Sequence, residues 1–165
     1  MKPAVKPIPE NCQQAIPSLI VNGGRAAIAF YEKAFGAHVQ ACKMASDGER
    51  VIHGAIKIGD SVLFVNDEFP EMGCGRSPQT AGCSTASIYL YVEDVDSSFQ
   101  RAVGAGAKAL MPPMNMFWGD RFARVVDPYG HEWGLASHIE DLTPEEMTER
   151  EKAFHAQMAK EPCPA

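Results

Sequence analysis

The organisation of this chain is clearest in one stretch, Val125-Val126-Asp127-Pro128-Tyr129-Gly130-His131-Glu132-Trp133-Gly134-Leu135. Two runs rich in β-branched and aromatic residues flank an Asp-Pro-x-Gly turn. Asp127 can cap such a turn, Pro128 pre-sets φ at its first central position, and Gly130 can take a positive φ at its exit. The stretch therefore predicts a β-hairpin whose second strand runs from Glu132 to Ser137.

The same arrangement of strand, glycine turn and strand occurs earlier, between Ile56 and Val65. Its turn glycine, Gly59, precedes Gly130 by 71 residues, and the apolar run Ile88–Val92 follows the run Pro17–Val21 at the same distance. Order, spacing and turn residues agree although the sequence similarity is faint. These repeats indicate an internal duplication.

Each half has the pattern β-α-β-β-β. In the first half, the periodicity predicts strands at 16–21, 38–44, 50–58 and 61–66 and a helix at 25–35. In the second half, it predicts strands at 88–92, 108–111, 122–126 and 132–137 and a helix at 96–103. Thr143 and Glu146 form a capping box that opens a terminal helix, which we expect to continue to about Met158. The fold class is therefore α+β, with two tandem βαβββ modules and a C-terminal helix.

The domain organisation follows from these elements. Residues 1–14 are rich in proline and predict a flexible arm. Residues 15–140 form one domain, with module 1 at about 15–69, a linker at 70–84 and module 2 at about 85–140. Residues 141–165 form the terminal helix and tail.

The composition is typical of a globular protein of the cytoplasm. The net charge of −6 and the pI near 5.3 argue against nucleic acid or an anionic membrane surface as a partner. We find neither an apolar run long enough to span a bilayer nor the pattern of a signal peptide at the start. Five cysteines without a C-x-x-C pair predict reduced thiols in place of a disulfide framework.

Several motifs resemble the vicinal oxygen chelate superfamily, which includes glyoxalase I, the bleomycin-resistance proteins and the extradiol dioxygenases. The similarity is greatest to the glyoxalase-like PhnB group. It is carried by residues 29–37, His53, 58–61, 66–70, 90–96, 119–121 and 127–131. The resemblance implies that each module curls its strands into a half-barrel cup with the helix behind. Members of this superfamily are isomerases, dioxygenases, lyases, thiol transferases or drug binders, so the fold does not select the activity.

The resemblance also implies where a metal would bind, because metal-dependent members take ligands from the first and last strand of each half. The corresponding positions are Ile16, Leu63, Ser87 and Gly134. None is a histidine or a carboxylate, whereas a divalent ion needs about three N, O or S ligands. We therefore expect no metal and no other cofactor. The favoured function is a metal-independent protein that binds or modifies a small aromatic or amphipathic molecule in an aromatic-lined cup. The alternative is a metal-dependent lyase, isomerase or dioxygenase with ligands displaced onto His138, Glu132 and Asp67, and a third hypothesis is an interaction module without a ligand.

Strand parity predicts which side chains face the two cups. We assign Leu63, Val65 and Asp67 to the first cup, and His53 and Asn66 to the helix side. In the second module, Tyr89, Tyr91 and His138 are assigned to the cup, and Trp133 and Leu135 to the helix side. The predicted small-molecule site comprises Ser18, Asp67, Ser87, Tyr89, Tyr91, Trp118, Arg121, Glu132 and His138. His138, Glu132 and Asp67 would form an acid–base rim, although polar residues are also ordinary at strand ends. No catalytic residue is predicted.

The stretch 112–121 is unusual because it places Met114, Met116, Phe117 and Trp118 in a segment with glycine and two prolines. Such a loop would either cover the cup as a lid or bury itself against a second subunit. Arg121 would pair with Asp120 to hold the loop; alternatively, Arg121 or Arg124 would bind an anionic ligand group. The sheet edges, this loop and the terminal helix together predict a homodimer.

Overall fold

The computed structural model describes residues 7–9, 12–73 and 75–158. Its first half contains β1 (Ser18–Val21), α1 (Gly24–Phe35), β2 (His38–Met44), β3 (Val51–Ile58) and β4 (Ser61–Asp67). A 3₁₀ turn (Pro70–Met72) and the short helix α2 (Pro78–Ala81) lie within the predicted linker. The second half contains β5 (Ser87–Tyr91), α3 (Val95–Ala105), β6 (Lys108–Asn115), β7 (Asp120–Val126) and β8 (Glu132–His138), followed by α4 (Pro144–Met158). The α+β fold with two βαβββ modules and a terminal helix is confirmed.

The two modules have the same topology. The strand orders are β1-β4-β3-β2 and β5-β8-β7-β6. In each sheet the first strand pairs parallel to the last, and the other pairs are antiparallel. In each module a helix follows the first strand in sequence and crosses the sheet. Such a crossover connection allows the first and last strands to lie parallel. Each sheet therefore has one face under a helix and one open face, the cup.

The predicted cap of α4 is confirmed, and α1 ends at a glycine. Gly36 ends α1 at φ 66°, and its N–H donates to the carbonyl of Glu32. At the start of α4, the N–H of Thr143 donates to the Glu146 carboxylate at 2.9 Å, and the N–H of Glu146 donates to Oγ1 of Thr143 at 3.2 Å. This reciprocal pair is the capping box expected from the sequence.

The predicted loop at 112–121 is wrong over its first four and its last two residues, because β7 begins at Asp120. β6 continues through Pro112 and Pro113 to Asn115, with register irregularities between Ala109 and Met114. The prolines are tolerated because β6 is an edge strand. Only residues 116–119 remain as a turn between β6 and β7.

The two modules share one hydrophobic core. Helices α1 and α3 pack against each other, and Nε of Arg101 in α3 donates to the carbonyl of Ala34 in α1 at 2.9 Å. The core spans both modules; its largest fully buried side chains include Trp133, Tyr31, Ile56, Leu63 and Leu135. Among the described residues, no helix is long and apolar enough to cross a membrane.

Candidate functional site

The cup face of the second module contains the aromatic residues predicted for it. Tyr89 lies opposite Gly134 and Tyr91 lies opposite Ala136 in the parallel pair of β5 and β8. Trp133 and Leu135, which alternate with these residues, are fully buried on the helix side. The predicted orientation of β5 and β8 is therefore confirmed.

Four rings cover this face, and we call them the aromatic platform: Tyr89, Tyr91, Trp118 and Phe122. Tyr89 stacks on Phe122 with 5.3 Å between ring centroids and 12° between planes. Tyr91 lies 5.3 Å from Tyr89, and Trp118 lies 5.9 Å from Phe122. Tyr89 and Tyr91 remain 45% and 67% exposed. Large aromatic surface left open to solvent is typical of a binding face.

Gly134 makes room for this stacking. A Cβ atom at this position would lie 2.8 Å from the Phe122 ring and 3.1 Å from the Tyr89 ring. The two rings therefore lie directly over the backbone of β8. A side chain here would push both rings off the sheet.

Asp120 is the polar centre of the site. One carboxylate oxygen accepts hydrogen bonds from the Tyr89 hydroxyl at 3.3 Å, the Tyr91 hydroxyl at 3.0 Å and Nε1 of Trp118 at 3.1 Å. The other oxygen lies 2.9 Å from Nδ1 of His138. Asp120 is 3% exposed, so these four donors replace the water that a buried carboxylate loses.

The network shifts several pKa values. Burial raises the pKa of Asp120, but the hydrogen bonds from His138, Tyr91, Trp118 and Tyr89 together lower it below its usual value. Burial, followed by the Asp120 charge, raises the pKa of Tyr89 to about 12. The hydrogen bonds to Asp120 and then Asp141 raise the pKa of His138. The site thus holds a charged carboxylate, neutral phenols and a histidine biased towards the imidazolium form.

His138 connects the network to the segment that precedes α4. Its Nε2 lies 3.0 Å from the carboxylate of Asp141, whose side chain is fully exposed. The turn at Gly119 anchors the same segment, since its carbonyl accepts the N–H groups of Ile139 and Glu140. Phe117 also packs on Phe154 of α4, with 5.5 Å between ring centroids. The turn between β6 and β7 is therefore held by its own module and by α4.

Three other predicted residues border a different region. Ser18 and Glu132 line a cavity of about 240 Å³ between the modules, together with Arg76, Ile88 and His131. Ser87 pairs with Glu132 across β5 and β8 and lies at the same end of the cup. Glu132 forms an ion pair with Arg124. These residues are polar and accessible, but the structure does not bring them to the Asp120 network.

The predicted role of Asp67 is wrong. One oxygen accepts the N–H groups of Gly23 at 2.7 Å and Gly24 at 2.9 Å, and the other accepts the N–H of Val51 at 2.7 Å. Asp67 is 4% exposed. It holds the start of α1 against β3 and contributes nothing to a rim with His138.

The predicted role of Arg121 is wrong as well. Its guanidinium forms two hydrogen bonds to Asp96 at the start of α3, at 2.6 and 2.7 Å, and one to Asn115. Since Arg121 alternates with Phe122 on β7, its side chain lies on the helix side. Asp120 and Arg121 do not pair with each other; each has its own partners.

The cup face of the first module was assigned to the wrong side of β4. Leu63 and Val65 are buried in the core under α1, whereas Phe64 and Asn66 lie on the cup face. His53 is also on the cup face, where its ring lies 4.7 Å from that of Phe64.

The cause of this inversion is the length of the two turns. Two residues separate Ile58 from Ser61, but five separate Val126 from Glu132. In the parallel pairs, Ser18 of β1 lies opposite Phe64 of β4, and Tyr89 of β5 lies opposite Gly134 of β8. Equivalent positions of the two modules are therefore 71 residues apart in the first strands (Ser18 and Tyr89) but 70 apart in the last strands (Phe64 and Gly134). A shift of one residue exchanges the two faces of a strand.

This register also changes the positions that correspond to metal ligands in the superfamily. Phe64, not Leu63, is the counterpart of Gly134. The displaced set of His138, Glu132 and Asp67 is not brought together, because Asp67 lies in the first module with its oxygens occupied. Within the described ranges, no three His, Cys, Asp or Glu side chains are grouped as metal ligands. The side chains present do not fit a divalent ion at either place.

Asp120 and Phe122 were missed as site residues. A signal was present in the sequence, because alternation along β7 places Asp120 on the same face as Phe122. The strand register of the structure then sets Asp120 opposite His138 and Phe122 opposite Ala136. The prediction treated Asp120 as part of a loop and so did not extend the alternation to it.

Comparison with known proteins agrees with this architecture. Residues 14–135 match the model of the Glyoxalase/Bleomycin resistance protein/Dioxygenase superfamily. The uncharacterized protein Rv0887c of Mycobacterium tuberculosis is 37% identical over 133 residues, which cover 79% of this chain and 78% of that protein. The uncharacterized protein Mb0911c of Mycobacterium bovis has the same identity and is covered over 87% of its length.

Solved structures show the same fold at lower identity. TioX from Micromonospora sp. ML1 superposes with a TM-score of 0.62 at 23% identity, covering 77% of this chain and 99% of TioX. The PhnB protein from Bacillus cereus has a TM-score of 0.59 at 19% identity, covering 76% and 99%. The residues matched by the family model, 14–135, span both modules and end within β8. The chain therefore belongs to the glyoxalase/bleomycin resistance protein/dioxygenase superfamily.

Proposed function

We propose that this protein binds a small aromatic or amphipathic molecule on the aromatic platform of the second module, without a resident metal ion. The observation that carries this proposal is the convergence of Tyr89, Tyr91, Trp118 and His138 on the buried Asp120 carboxylate. These hydrogen bonds hold the rings in fixed positions while leaving their faces open. Ligand sites in proteins commonly combine such apolar walls with a few oriented polar groups.

Recognition would rest on stacking. The Tyr89 and Phe122 rings lie nearly parallel, and the faces of Tyr89 and Tyr91 that are open to solvent can take a further ring. Pre-organised rings lose little conformational entropy on binding. Within the superfamily, we propose that the chain belongs to the PhnB-like group; the motifs at 29–37 and 127–131 support this. We also propose a cytoplasmic location, which the composition supports.

We also propose that the protein is a homodimer. The platform is a shallow face, and β6 beside it is an edge strand with Leu110 43% exposed. A second subunit would supply the missing wall and cover the edge. Sedimentation at tens of micromolar protein should show a dimer, since an interface of standard size persists at that concentration. A monomer under these conditions contradicts the proposal.

The binding proposal is tested by comparing the two cups. Tyr91→Leu removes a ring from the platform, and Phe64→Leu removes a ring from the cup of the first module. We would screen a library of aromatic compounds by ¹H–¹⁵N NMR, following the indole N–H of Trp118. Hits should shift this resonance, and Tyr91→Leu should weaken their binding by about two- to tenfold, the usual contribution of an aromatic pair.

Phe64→Leu is the matched control and should leave the affinity unchanged. Both residues are accessible enough for the variants to fold, which thermal unfolding would verify. Hits that respond to Phe64→Leu but not to Tyr91→Leu would place the site in the first cup and overturn the proposal. A metal that binds stoichiometrically to the purified protein and is required for the hits to bind would overturn its metal-free part.

A further inference from the structure

The open polar group at the aromatic platform is His138. Asp120 is not available to a ligand, because it is buried and its two oxygens already accept from Tyr89, Tyr91, Trp118 and His138. His138 is 52% exposed and uses Nδ1 for Asp120, so its Nε2 is the edge that solvent and ligands can reach. In the imidazolium form both ring nitrogens donate, so a group that binds at this edge must then accept a hydrogen bond.

An exposed carboxylate of the protein occupies this edge in the structure. Asp141 lies 3.0 Å from Nε2 of His138, and its side chain is fully exposed. Such a surface pair contributes little to stability because water and salt screen it. Asp141 is therefore easily exchanged for another anion at the same nitrogen.

Two carboxylates face His138 and two other acidic groups nearby are paired with arginines, so an anion at this position would depend on His138 itself. His138 faces the carboxylates of Asp120 on β7 and Asp141 after β8, and the phenols of Tyr89 and Tyr91 on β5 share Asp120 with it. The neighbouring Glu140 is paired with Arg150 of α4, and Glu132 on the same face is paired with Arg124. The bonds to Asp120 and Asp141 raise the pKa of His138, and an imidazolium donates from both nitrogens. An incoming carboxylate would preserve both charge-assisted bonds.

We infer that the ligand of the aromatic platform is an aromatic acid whose carboxylate replaces Asp141 at Nε2 of His138 while its ring stacks on Tyr89 and Tyr91. This inference rests on the proposed function and names the class of ligand for the same site. Asp141 then acts as an internal competitor that occupies the anion position in the free protein. A cationic or neutral aromatic compound would lack this anchor.

The test uses three probes with the same ring system: 2-naphthoate, 2-naphthamide and 2-naphthylmethylammonium. Their affinities would be measured from the shift of the Trp118 indole N–H, assigned with Trp118→Phe. At a pH where NMR shows His138 to be protonated, naphthoate should bind about tenfold more tightly than naphthamide, as expected for a hydrogen bond between charged groups. The advantage should disappear as the pH rises through the pKa of His138, and in His138→Gln.

Two variants that each remove one negative charge test whether Asp141 competes with the ligand for His138. Asp141→Asn should tighten naphthoate binding by about two- to fivefold, the range expected for loss of a competing exposed pair. Glu145→Gln removes one negative charge from the same terminal region, at a residue other than the two partners of His138. It should leave the affinity unchanged.

The outcomes separate the inference from the proposed function. If naphthamide or the ammonium probe binds as tightly as naphthoate, or Asp141→Asn does not tighten binding, the inference is overturned while the platform remains a binding site. If naphthoate binds best but Glu145→Gln has the same effect as Asp141→Asn, general charge is responsible and the exchange is overturned. If none of the three probes moves the Trp118 resonance, the proposed function fails together with the inference.

Discussion

The Tyr31 hydroxyl of the first module donates a hydrogen bond to the Asp127 carboxylate of the second module across 2.8 Å. The same oxygen accepts Nε1 of Trp133 at 2.9 Å, and the other oxygen accepts the N–H groups of Tyr129 and His131. Burial, followed by the charge of Asp127, raises the pKa of Tyr31, which keeps its hydroxyl a donor. The turn that revealed the duplication therefore also joins the two modules.

Tyr31→Phe should destabilise the protein. The substitution removes a donor to a buried carboxylate without changing the packing of the ring, so we expect the free energy of unfolding to fall by about 1.5–3 kcal/mol. Tyr91→Phe is the matched control, because it removes a hydroxyl that also donates to an aspartate but lies on a ring 67% exposed. Tyr91→Phe should lower the free energy of unfolding by about 1 kcal/mol or less. Urea unfolding measures both, and equal losses would contradict the view that Tyr31 joins the modules.

Asp67→Asn should disturb the start of α1. An amide in this position would direct an NH₂ group at one of the three backbone N–H donors that the carboxylate now accepts. We expect the free energy of unfolding to fall by about 1–3 kcal/mol. Asp60→Asn, which affects a fully exposed carboxylate paired with Lys57, should change it by less than about 1 kcal/mol. If ligand affinity fell with no change in stability, Asp67 would be a binding residue after all.

Gly119→Ala and Gly104→Ala should have opposite effects. Gly119 has φ +93°, and a Cβ atom would lie 2.3 Å from the carbonyl oxygen of Glu140. Because this contact is with the backbone, we expect Gly119→Ala to lower the free energy of unfolding by about 1–3 kcal/mol and to alter the environment of Trp118. Gly104 lies in α3, where an added Cβ meets nothing within 4 Å, so alanine should stabilise by up to about 1 kcal/mol. Thermal unfolding and tryptophan fluorescence distinguish the two, and a neutral Gly119→Ala would refute the close approach.

His138 should make the stability depend on pH. Its pKa is raised in the folded protein from the ordinary value of 6.5, so its stabilising contribution is complete below 6.5 and is lost as the pH rises through the folded-state pKa. The difference in unfolding free energy between the wild type and His138→Gln should therefore shrink as the pH increases. NMR titration of the imidazole should show the pKa of His138 falling more in Asp120→Asn than in Asp141→Asn, because the hydrogen bond to Asp120 raises it more than the bond to Asp141 does. If the difference in unfolding free energy instead grew with pH, the pKa of His138 would be lowered, not raised, in the folded protein.

Much of the fold could be predicted because its signals are local. The helix from Gly24 to Phe35 follows from apolar spacing and Gly36, and α4 follows from the Thr143 capping box. The alternation in β5 and β8 correctly placed Tyr89, Tyr91 and His138 on the cup face. In β4 the same reasoning failed, because it assumed that the turns at Gly59 and Gly130 were equivalent. The face of Asp67 was inverted for this reason, and a buried carboxylate that accepts backbone N–H groups was taken for a rim residue.

The amino-acid sequence by itself determined the duplicated βαβββ order, the helix caps and the presence of aromatic residues on the second cup, since all of these depend on neighbours within a few positions. Only the tertiary structure decided which polar groups meet. Asp120 is separated from Tyr89 by 31 residues, from Tyr91 by 29 and from His138 by 18. Their convergence depends on strand register, and register depends on turn lengths and bulges that shift whole strands by one residue. A shift that small exchanges the core face for the cup face, so the partners of Asp120 and Asp67 are properties of the folded chain.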